Sequence, residues 1–549
     1  MGSRNTRGSR REVEQNPDEP RSDPSVIEDA DSDDNESDLV SVLAFLLRSG
    51  QARLVRATTE GGSGIHIIHG MSSSDSDDDE DFDGDFAYHD GKAASPPVDP
   101  NPNTLVVDQS VFKQDTLLSS GQLLGGQNIC SRLHMRESSL YNRPNFTSGD
   151  KAAASANYIP NNKETKAQFL QKLFCGQYSS DGTVFLSACQ DQNIRLYDTT
   201  LGQFKEFRNI VARDVGWSII DTDLSPDQQY LIYSSWSDYI HLCNIYGDYE
   251  THAALCLNPD DSRFCAFSIK FSHDNKEILA GANDAAIYVY DRGSNQRTLR
   301  VHGHEDDVNT VAFADDSSHI LFSGADDGLC KVWDRRQISE TCPCPVGVLA
   351  GHSDGITHID PRGDGRHLIT NSKDQTIKLW DMRKFSAEEG ICATKRAVSG
   401  QRWDYRWQPV PRKSVRRSKL AGDSSVMTYR GHSVLHTLVR CYFSPVHTTG
   451  QRYIYSGCST GTVVIYDALT GKITSRLSGH RSAVRDVSWH PYQKEIVSTS
   501  WDGTLGLWRY KRPHDDDEDD KEEEEDSESK QQSMGPCRRS IRLRNLLHL

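Results

Sequence analysis

Short apolar runs recur along residues 172–510 in one arrangement. A run rich in small residues leads to a turn Asp, and six residues later stands an aromatic with another Asp behind it. SGADDGLCKVWD (Ser323 to Asp334), TNSKDQTIKLWD (Thr370 to Asp381) and STSWDGTLGLW (Ser498 to Trp508) are the clearest copies. Apolar runs this short, split by a turn, predict β-hairpins. Repetition at this period predicts a closed ring of small β-sheets. The aromatic column reads Tyr197, Asn244, Tyr290, Trp333, Trp380, Tyr466 and Trp508, and the turn column Asp191, Asp238, Asp284, Asp327, Asp374, Thr460 and Asp502. Only Asn244 and Thr460 break their columns, so seven sheets are expected.

The step from Trp380 to Tyr466 is 86 residues, whereas the other steps run from 42 to 47. Residues 382–429 fill the excess and hold no second strand–turn–strand copy, so they read as an insertion between the fifth and sixth sheets. After Trp508 comes RYKRPHDDDEDDKEEEED, where no strand fits. Each sheet needs four strands, so the last must borrow its outer strand from before Phe174. Asn157-Tyr158-Ile159 is the expected donor, closing the ring without a free edge.

Outside the repeats the pattern changes. Residues 1–37 are polar, charged and expected to be disordered. Within 38–57, Asp38 suits an N-cap, Leu39, Val40, Val42, Leu43, Phe45, Leu46 and Leu47 give an apolar helix, and Ser49-Gly50 can end it. Residues 58–155 contain the acidic block SSSDSDDDEDFDGDF and a Pro-rich stretch, and read as low-order linker. Ser72, Ser74 and Ser76 precede acids and are candidate phosphorylation sites. Residues 511–549 read as a disordered acidic tail. The chain has 62 basic and 79 acidic residues, a net charge of −17, with the excess concentrated in the acidic runs. No apolar run is long enough for a membrane span, and the N-terminus lacks a secretory apolar stretch. The 13 cysteines form no CxxC pair, which fits reduced thiols in a nuclear or cytoplasmic protein and no zinc site.

The repeats resemble the WD40 family over residues 172–510, which implies an all-β, seven-bladed β-propeller. Gly-His pairs stand ahead of four blades at Gly303-His304, Gly351-His352, Gly431-His432 and Gly479-His480. The resemblance implies one hydrogen-bonded column per blade: His304, Ser323, Asp327 and Trp333; His352, Thr370, Asp374 and Trp380; His480, Ser498, Asp502 and Trp508. Buried imidazole, carboxylate and indole N–H groups are each costly alone and satisfy one another together. His, Ser and Asp together also suggest a nucleophilic triad, but a set that recurs blade after blade reads as structural.

Other chemistry is thin. No GxxxxGK[ST] phosphate loop occurs, no metal or cofactor is implied, and His66 and His69 lack ligand spacing. Trp403, Tyr405 and Trp407 interleave with seven basic residues between Arg402 and Lys419. This run reads either as a nucleic-acid patch or as a loop packing its aromatics on the propeller wall. The acidic chain favours the second reading, so no direct nucleic-acid contact is expected.

Two adjacent blades end in Trp-Asp-any-Arg: Trp333-Asp334-Arg335-Arg336 and Trp380-Asp381-Met382-Arg383. Doubled boxes of this type resemble those of the WD40 substrate receptors of cullin-4 RING ubiquitin ligases. The likeness extends over most of residues 38–510, in stretches such as SACQDQNIRLYD, ARDVGWSIID, YSSWSDYIHLCNIYG, QRWDYRW and YSGCSTG. It implies that Trp333, Asp334, Arg336, Trp380, Asp381 and Arg383 face the ligase's adaptor, damage-specific DNA-binding protein 1. A guanidinium fork suits that role, since it donates to carboxylates or carbonyls. It also implies an adaptor-docking helix, for which Leu43, Leu46 and Leu47 are the candidates.

Client contacts are then expected on the upper rim, where the residue before each turn Asp points. These residues are Gln190, Ser237, Asn283, Asp326, Lys373, Ser459 and Trp501, with Trp501 the strongest anchor. Arg213, Trp236 and Arg485 lie near strand ends and join them, and Cys458 is either an accessible thiol or a half-buried one. The resulting expectation is a non-enzymatic receptor that presents client proteins for ubiquitination and proteasomal degradation. A general WD40 scaffold for histone, RNA-processing or signalling assemblies is the alternative.

Overall fold

A computed structural model describes residues 53–59, 62–68, 98–122, 129–138, 145–156, 158–200, 202–247, 250–258, 264–341, 343–411 and 419–512. The chain divides into two units, Met1–Tyr88 and His89–Leu549. In the first, Arg53–Thr59 pairs antiparallel with Gly62–Ile68. A strand at Arg53–Thr59 replaces the end of the helix expected over 38–57, and Leu43, Leu46 and Leu47 lie outside the described residues.

The second unit carries seven four-stranded antiparallel sheets. In six of them four consecutive strands run in order from one edge to the other. The seventh takes Val484–Trp489, Glu495–Ser500 and Thr504–Arg509, then Asn162–Gln168 as its outer strand. The ring is therefore closed by sequence ahead of the first repeat, as expected. The donor is Asn162–Gln168 and not Asn157-Tyr158-Ile159, because the Pro160 that follows Ile159 has no N–H to give a ladder.

The three inner strands of a blade are mostly buried, because each sheet packs a face on either side, while outer strands such as Lys205–Val211 and Asn162–Gln168 are largely exposed. Glu495–Ser500 and His367–Ser372 are buried along their whole length. Distinct apolar clusters fill the spaces between blades, such as Val332, Leu349, Ile356, Leu368 and Trp380 between the fourth and fifth. On the inner strands polar groups meet across the axis. Arg440 of the sixth blade holds Asp221 of the second at 2.5 Å and Asp486 of the seventh at 3.0 Å. Lys270 of the third blade reaches Asp223 at 3.2 Å.

Residues 382–426 do not lie between blades. They run from the third strand of the fifth blade, Thr376–Asp381, to its own outer strand, Met427–Arg430, so the insertion interrupts a single sheet. It carries the helix Glu388–Ser399.

The low-order reading of 58–155 fails in the described part. Helices form at Leu105–Asp108, Val111–Ser119, Ile129–Glu137 and Ser148–Ser155. Thr147 and Asp150 make a capping box on the last of these. Val107 and Phe112 enter the same apolar cluster as Phe443, Ile454 and Leu469 of the propeller. This apolar spacing stands among acids and prolines that by composition read as linker.

Candidate functional site

Antiparallel register separates each sheet's two ends into two faces. In the fourth blade Val308 lies opposite Ala325 at one end, and Ile320 lies opposite Asp334 at the other. The turn carboxylates and the Gly-His connections share the first end, here the upper face. The Trp-Asp-any-Arg boxes end on the underside.

The upper face is built on the repeated column. His304 contacts Asp327 at 2.8 Å and Ser323 at 2.6 Å, and Trp333 donates to Ser323 at 2.8 Å. In the fifth blade His352 meets Asp374 at 2.9 Å and Thr370 at 2.6 Å, with Trp380 donating to Thr370 at 2.8 Å. In the seventh, His480 meets Asp502 at 3.2 Å and Ser498 at 2.7 Å, with Trp508 donating to Ser498 at 2.7 Å. The donor order assigns the tautomer: indole N–H to hydroxyl oxygen, hydroxyl O–H to Nε2, Nδ1–H to carboxylate. Burial opposes ionisation of Asp374, yet His352 and Thr376 hold its carboxyl well below the usual range. Each hydroxyl is fully buried and already bound to a tryptophan, so none can attack a substrate. The triad reading is thereby excluded by geometry.

The insertion covers the upper rim of the fourth and fifth blades. Trp403 donates to Asp354 at 3.1 Å, the Lys373 ammonium lies 4.3 Å from the Tyr405 ring centre, and Lys395 pairs with Glu305 at 2.5 Å. Trp403 and Tyr405 thus pack on the propeller as the wall-packing reading requires, while Trp407 stays 80% exposed. Asp307 and Asp354 beneath this cover are pushed up to about 6, chiefly by burial.

The expected client residues fall into three groups. Arg213 and Trp236 are exposed on the rim, and Gln190, Ser237, Asn283, Asp326 and Trp501 are half-buried there. Lys373 is buried and committed to Asp326 at 2.7 Å. Cys458, Ser459 and Arg485 are buried. Cys458 accepts from Ser433 N–H at 3.2 Å, so an accessible thiol is excluded. Arg485 sits on an inner strand, its guanidinium donating to the carbonyls of Phe174 and Ile220, and cannot serve the rim. Trp501 is no free anchor either: it packs on Phe174 at 5.6 Å and beneath the Lys172 ammonium at 4.0 Å. Trp217, 52% exposed and edge-on to Phe174 at 5.3 Å, was missed. It lies in the connection between blades, where no repeat column marks it.

On the underside the two boxes differ. Arg336 closes on its own Asp334 at 2.8 Å, with its side chain 63% exposed. In the fifth blade Asp381 is taken by Arg366 at 2.7 Å, and Arg383 is exposed. Trp333 and Trp380 are buried columns and offer the underside no surface. Beside the second box the helix Val111–Ser119 is fixed by Phe112, edge-on to His367 at 5.1 Å and under the Arg362 guanidinium at 4.7 Å. Arg362 donates to Thr116 at 3.1 Å, Ser119 donates to the Gly450 carbonyl at 2.6 Å, and Arg452 donates to Gln122 at 2.7 Å. Gly450 is left-handed at φ 63°, and a Cβ there would strike the Ser119 carbonyl. Leu105 and Leu118 remain exposed on the outer side of these helices. Among the described residues no group of three metal-ligating side chains converges, and no helix is long and apolar enough to cross a membrane.

The family pattern described as WD domain, G-beta repeat matches residues 171–198, 293–334, 343–381 and 471–509. A LEC14B homolog of Prunus armeniaca is 41% identical over 426 residues, covering 76% of this chain and 86% of that protein. A DDB1- and CUL4-associated factor 11 homolog of Caenorhabditis briggsae is 40% identical over 385 residues, 67% of this chain and 69% of its own. The chain belongs to this family of WD40 proteins. The Caenorhabditis elegans homolog of the same name is 44% identical over 367 residues, 64% of this chain and 63% of its length. The repeat pattern passes over the second blade and the first three strands of the third and sixth, where Asn244, Tyr290 and Tyr466 stand in the Trp place and Thr460 in the sixth replaces the turn Asp.

Proposed function

We propose that the protein is a non-catalytic substrate receptor of a cullin-4 RING ubiquitin ligase. The observation that carries this reading is the pair of boxes side by side on one face, Arg336 and Arg383 both reaching solvent. The names of the Caenorhabditis relatives associate those proteins with DDB1 and CUL4, which supports it. The underside would take the adaptor through these two guanidiniums and the exposed Leu105 and Leu118 of the packed helices. Leu43, Leu46 and Leu47 would add a further apolar contact. The upper face would take a protein client through Arg213, Trp217 and Trp236, the side chains left open by the insertion. Holding a client near the ligase raises its local concentration, and no chemistry by this chain is required.

The test is affinity purification of the tagged full-length chain from cells, wild type beside Arg336→Glu/Arg383→Glu. Wild type should bring down the adaptor and cullin-4, and the double variant should lose both while keeping its melting temperature. Purification without ligase subunits would point to the scaffold alternative.

A further inference from the structure

The seventh blade departs from the fourth and fifth at its underside. Where those blades place Asp334 and Asp381 after the tryptophan, the seventh places Arg509. Arg509 pairs with its register partner Glu495 at 3.0 Å, and Glu495 also accepts from the Tyr178 hydroxyl at 2.9 Å. Arg509 and Glu495 cancel in charge. Beside them Tyr158, just ahead of the closing strand, stands edge-on to Tyr510 at 5.2 Å, and the Lys494 ammonium lies 3.9 Å from the Tyr158 ring centre. These side chains wall a groove of about 340 Å³, within the size range of small-ligand sites. Lys494 is exposed and has no carboxylate within ion-pair distance among the described residues. It leaves the groove with a single uncompensated positive charge.

Tyr158 and Lys494 also wall a narrower recess between the sixth and seventh blades, some 10 Å³ in volume, with room for about one oxygen atom of water size. Trp489 and Thr448 line it. Trp489 ends the inner strand Val484–Trp489 and is stacked on Tyr453 at 6.4 Å, and Thr448 belongs to the helix Val446–Thr449. The two are only 6% and 5% exposed, yet neither the Trp489 indole N–H nor the Thr448 hydroxyl has a hydrogen-bond partner among the described residues. A buried polar group without a partner is costly, and an indole N–H can only donate. The recess therefore calls for an acceptor, and the lysine at its mouth for a negative one.

We infer that this cleft binds a monocarboxylate. One carboxylate oxygen fills the recess and accepts from the Trp489 Nε1–H and the Thr448 hydroxyl. The other faces the Lys494 ammonium, and the organic part lies in the groove against Tyr158 and Tyr510. One net positive charge matches a carboxylate and leaves a phosphate dianion half unpaired. A small organic acid and the C-terminus of a peptide present the same group. The site does not rest on the receptor reading, since Arg336 and Arg383 belong to other blades.

The test is a titration of the full-length protein, isotope-labelled on tryptophan, followed through its indole N–H resonances. Trp489→Phe identifies the resonance of Trp489. Benzoate should shift that resonance saturably. Benzamide, of the same shape but without charge, should bind at least about tenfold more weakly, and Lys494→Glu should weaken benzoate at least about fivefold. A short peptide ending in phenylalanine, compared with its C-terminal amide, separates the sources: a tighter response to the free peptide than to benzoate assigns a chain terminus, and the reverse assigns a small acid. An unmoved Trp489 resonance with every carboxylate overturns the inference, as does an equal response to benzamide or an unchanged affinity in Lys494→Glu. A second readout needs no variant. Benzoate should slow reductive methylation of Lys494 and leave that of the exposed Lys384 unchanged, and equal labelling of Lys494 with and without benzoate overturns the site.

Discussion

Blades four, five and seven meet the same burial problem as blade six and solve it differently. In the three, a histidine has a carboxylate on Nδ1 and a hydroxyl on Nε2, all supplied within one repeat. In the sixth, Thr460 replaces the carboxylate and Tyr466 the tryptophan. There His432 meets the Tyr466 hydroxyl at 3.0 Å and the Asn371 side-chain carbonyl of the preceding blade at 2.8 Å. The column is kept by borrowing across a blade boundary. The comparison teaches that polar satisfaction is conserved as a requirement of burial, while the residues that meet it are free to change.

The largest effect should come from breaking a complete column. Asp374→Ala leaves the His352 imidazole and the Ser353 N–H without their acceptor, and should cost about 3–5 kcal/mol by denaturant unfolding. A loss under about 1 kcal/mol would show that the columns are not what holds the rim. Trp380→Phe removes the indole N–H together with part of the buried ring volume. It should cost less, about 1–3 kcal/mol, so a loss equal to that of Asp374→Ala would move the weight from the network to packing.

Next comes the response to pH, to which the sixth blade contributes through His432. Burial lowers the His432 pKa to about 4, below the roughly 6.5 of an unfolded histidine. The unfolded chain then binds the extra proton, so stability is complete above pH ~6.5 and is lost as pH falls toward 4. The loss from this group should be of order 1–3 kcal/mol, and His432→Gln should lessen the slope while His304, His358 and His480, which burial also lowers, keep the rest of it. For Asp374 and Asp502 the folded pKa is depressed, so their contribution is present above pH ~4 and lost below it. An unchanged slope between pH 6.5 and 4 in His432→Gln would contradict the assignment.

Arg336→Glu/Arg383→Glu lies outside every column and should leave unfolding free energy within about 0.5 kcal/mol of wild type. Arg383 ends in solvent, and Arg336 gives up a mostly exposed pair with Asp334, which contributes little.

The same contrast explains what could be read from the residues in order. The columns of His304, His352 and His480 were legible because their members recur at fixed spacing inside one repeat. The insertion is legible as extra length, and its place within the fifth sheet is marked only by Gly431-His432, which follows Met427–Arg430 as Gly479-His480 follows Ile473–Ser478 at the end of an outer strand. The underside helices were obscured by acidic and Pro-rich neighbours, although Val107 and Phe112 carry the apolar spacing that buries them. Rim exposure was beyond reach: Lys373 and Trp501 occupy the expected turns, yet Asp326 and Phe174 take them from solvent. Those contacts join residues far apart in the chain, and local spacing carries no trace of them.

The receptor account is tested most directly by calorimetric titration of the purified full-length protein with the purified ligase adaptor, beside Arg336→Glu/Arg383→Glu. Loss of a desolvated guanidinium contact costs about 2–5 kcal/mol, so the double variant should bind at least tenfold more weakly than wild type. Wild type that gives no heat of binding, or a double variant that binds as tightly as wild type, would contradict it.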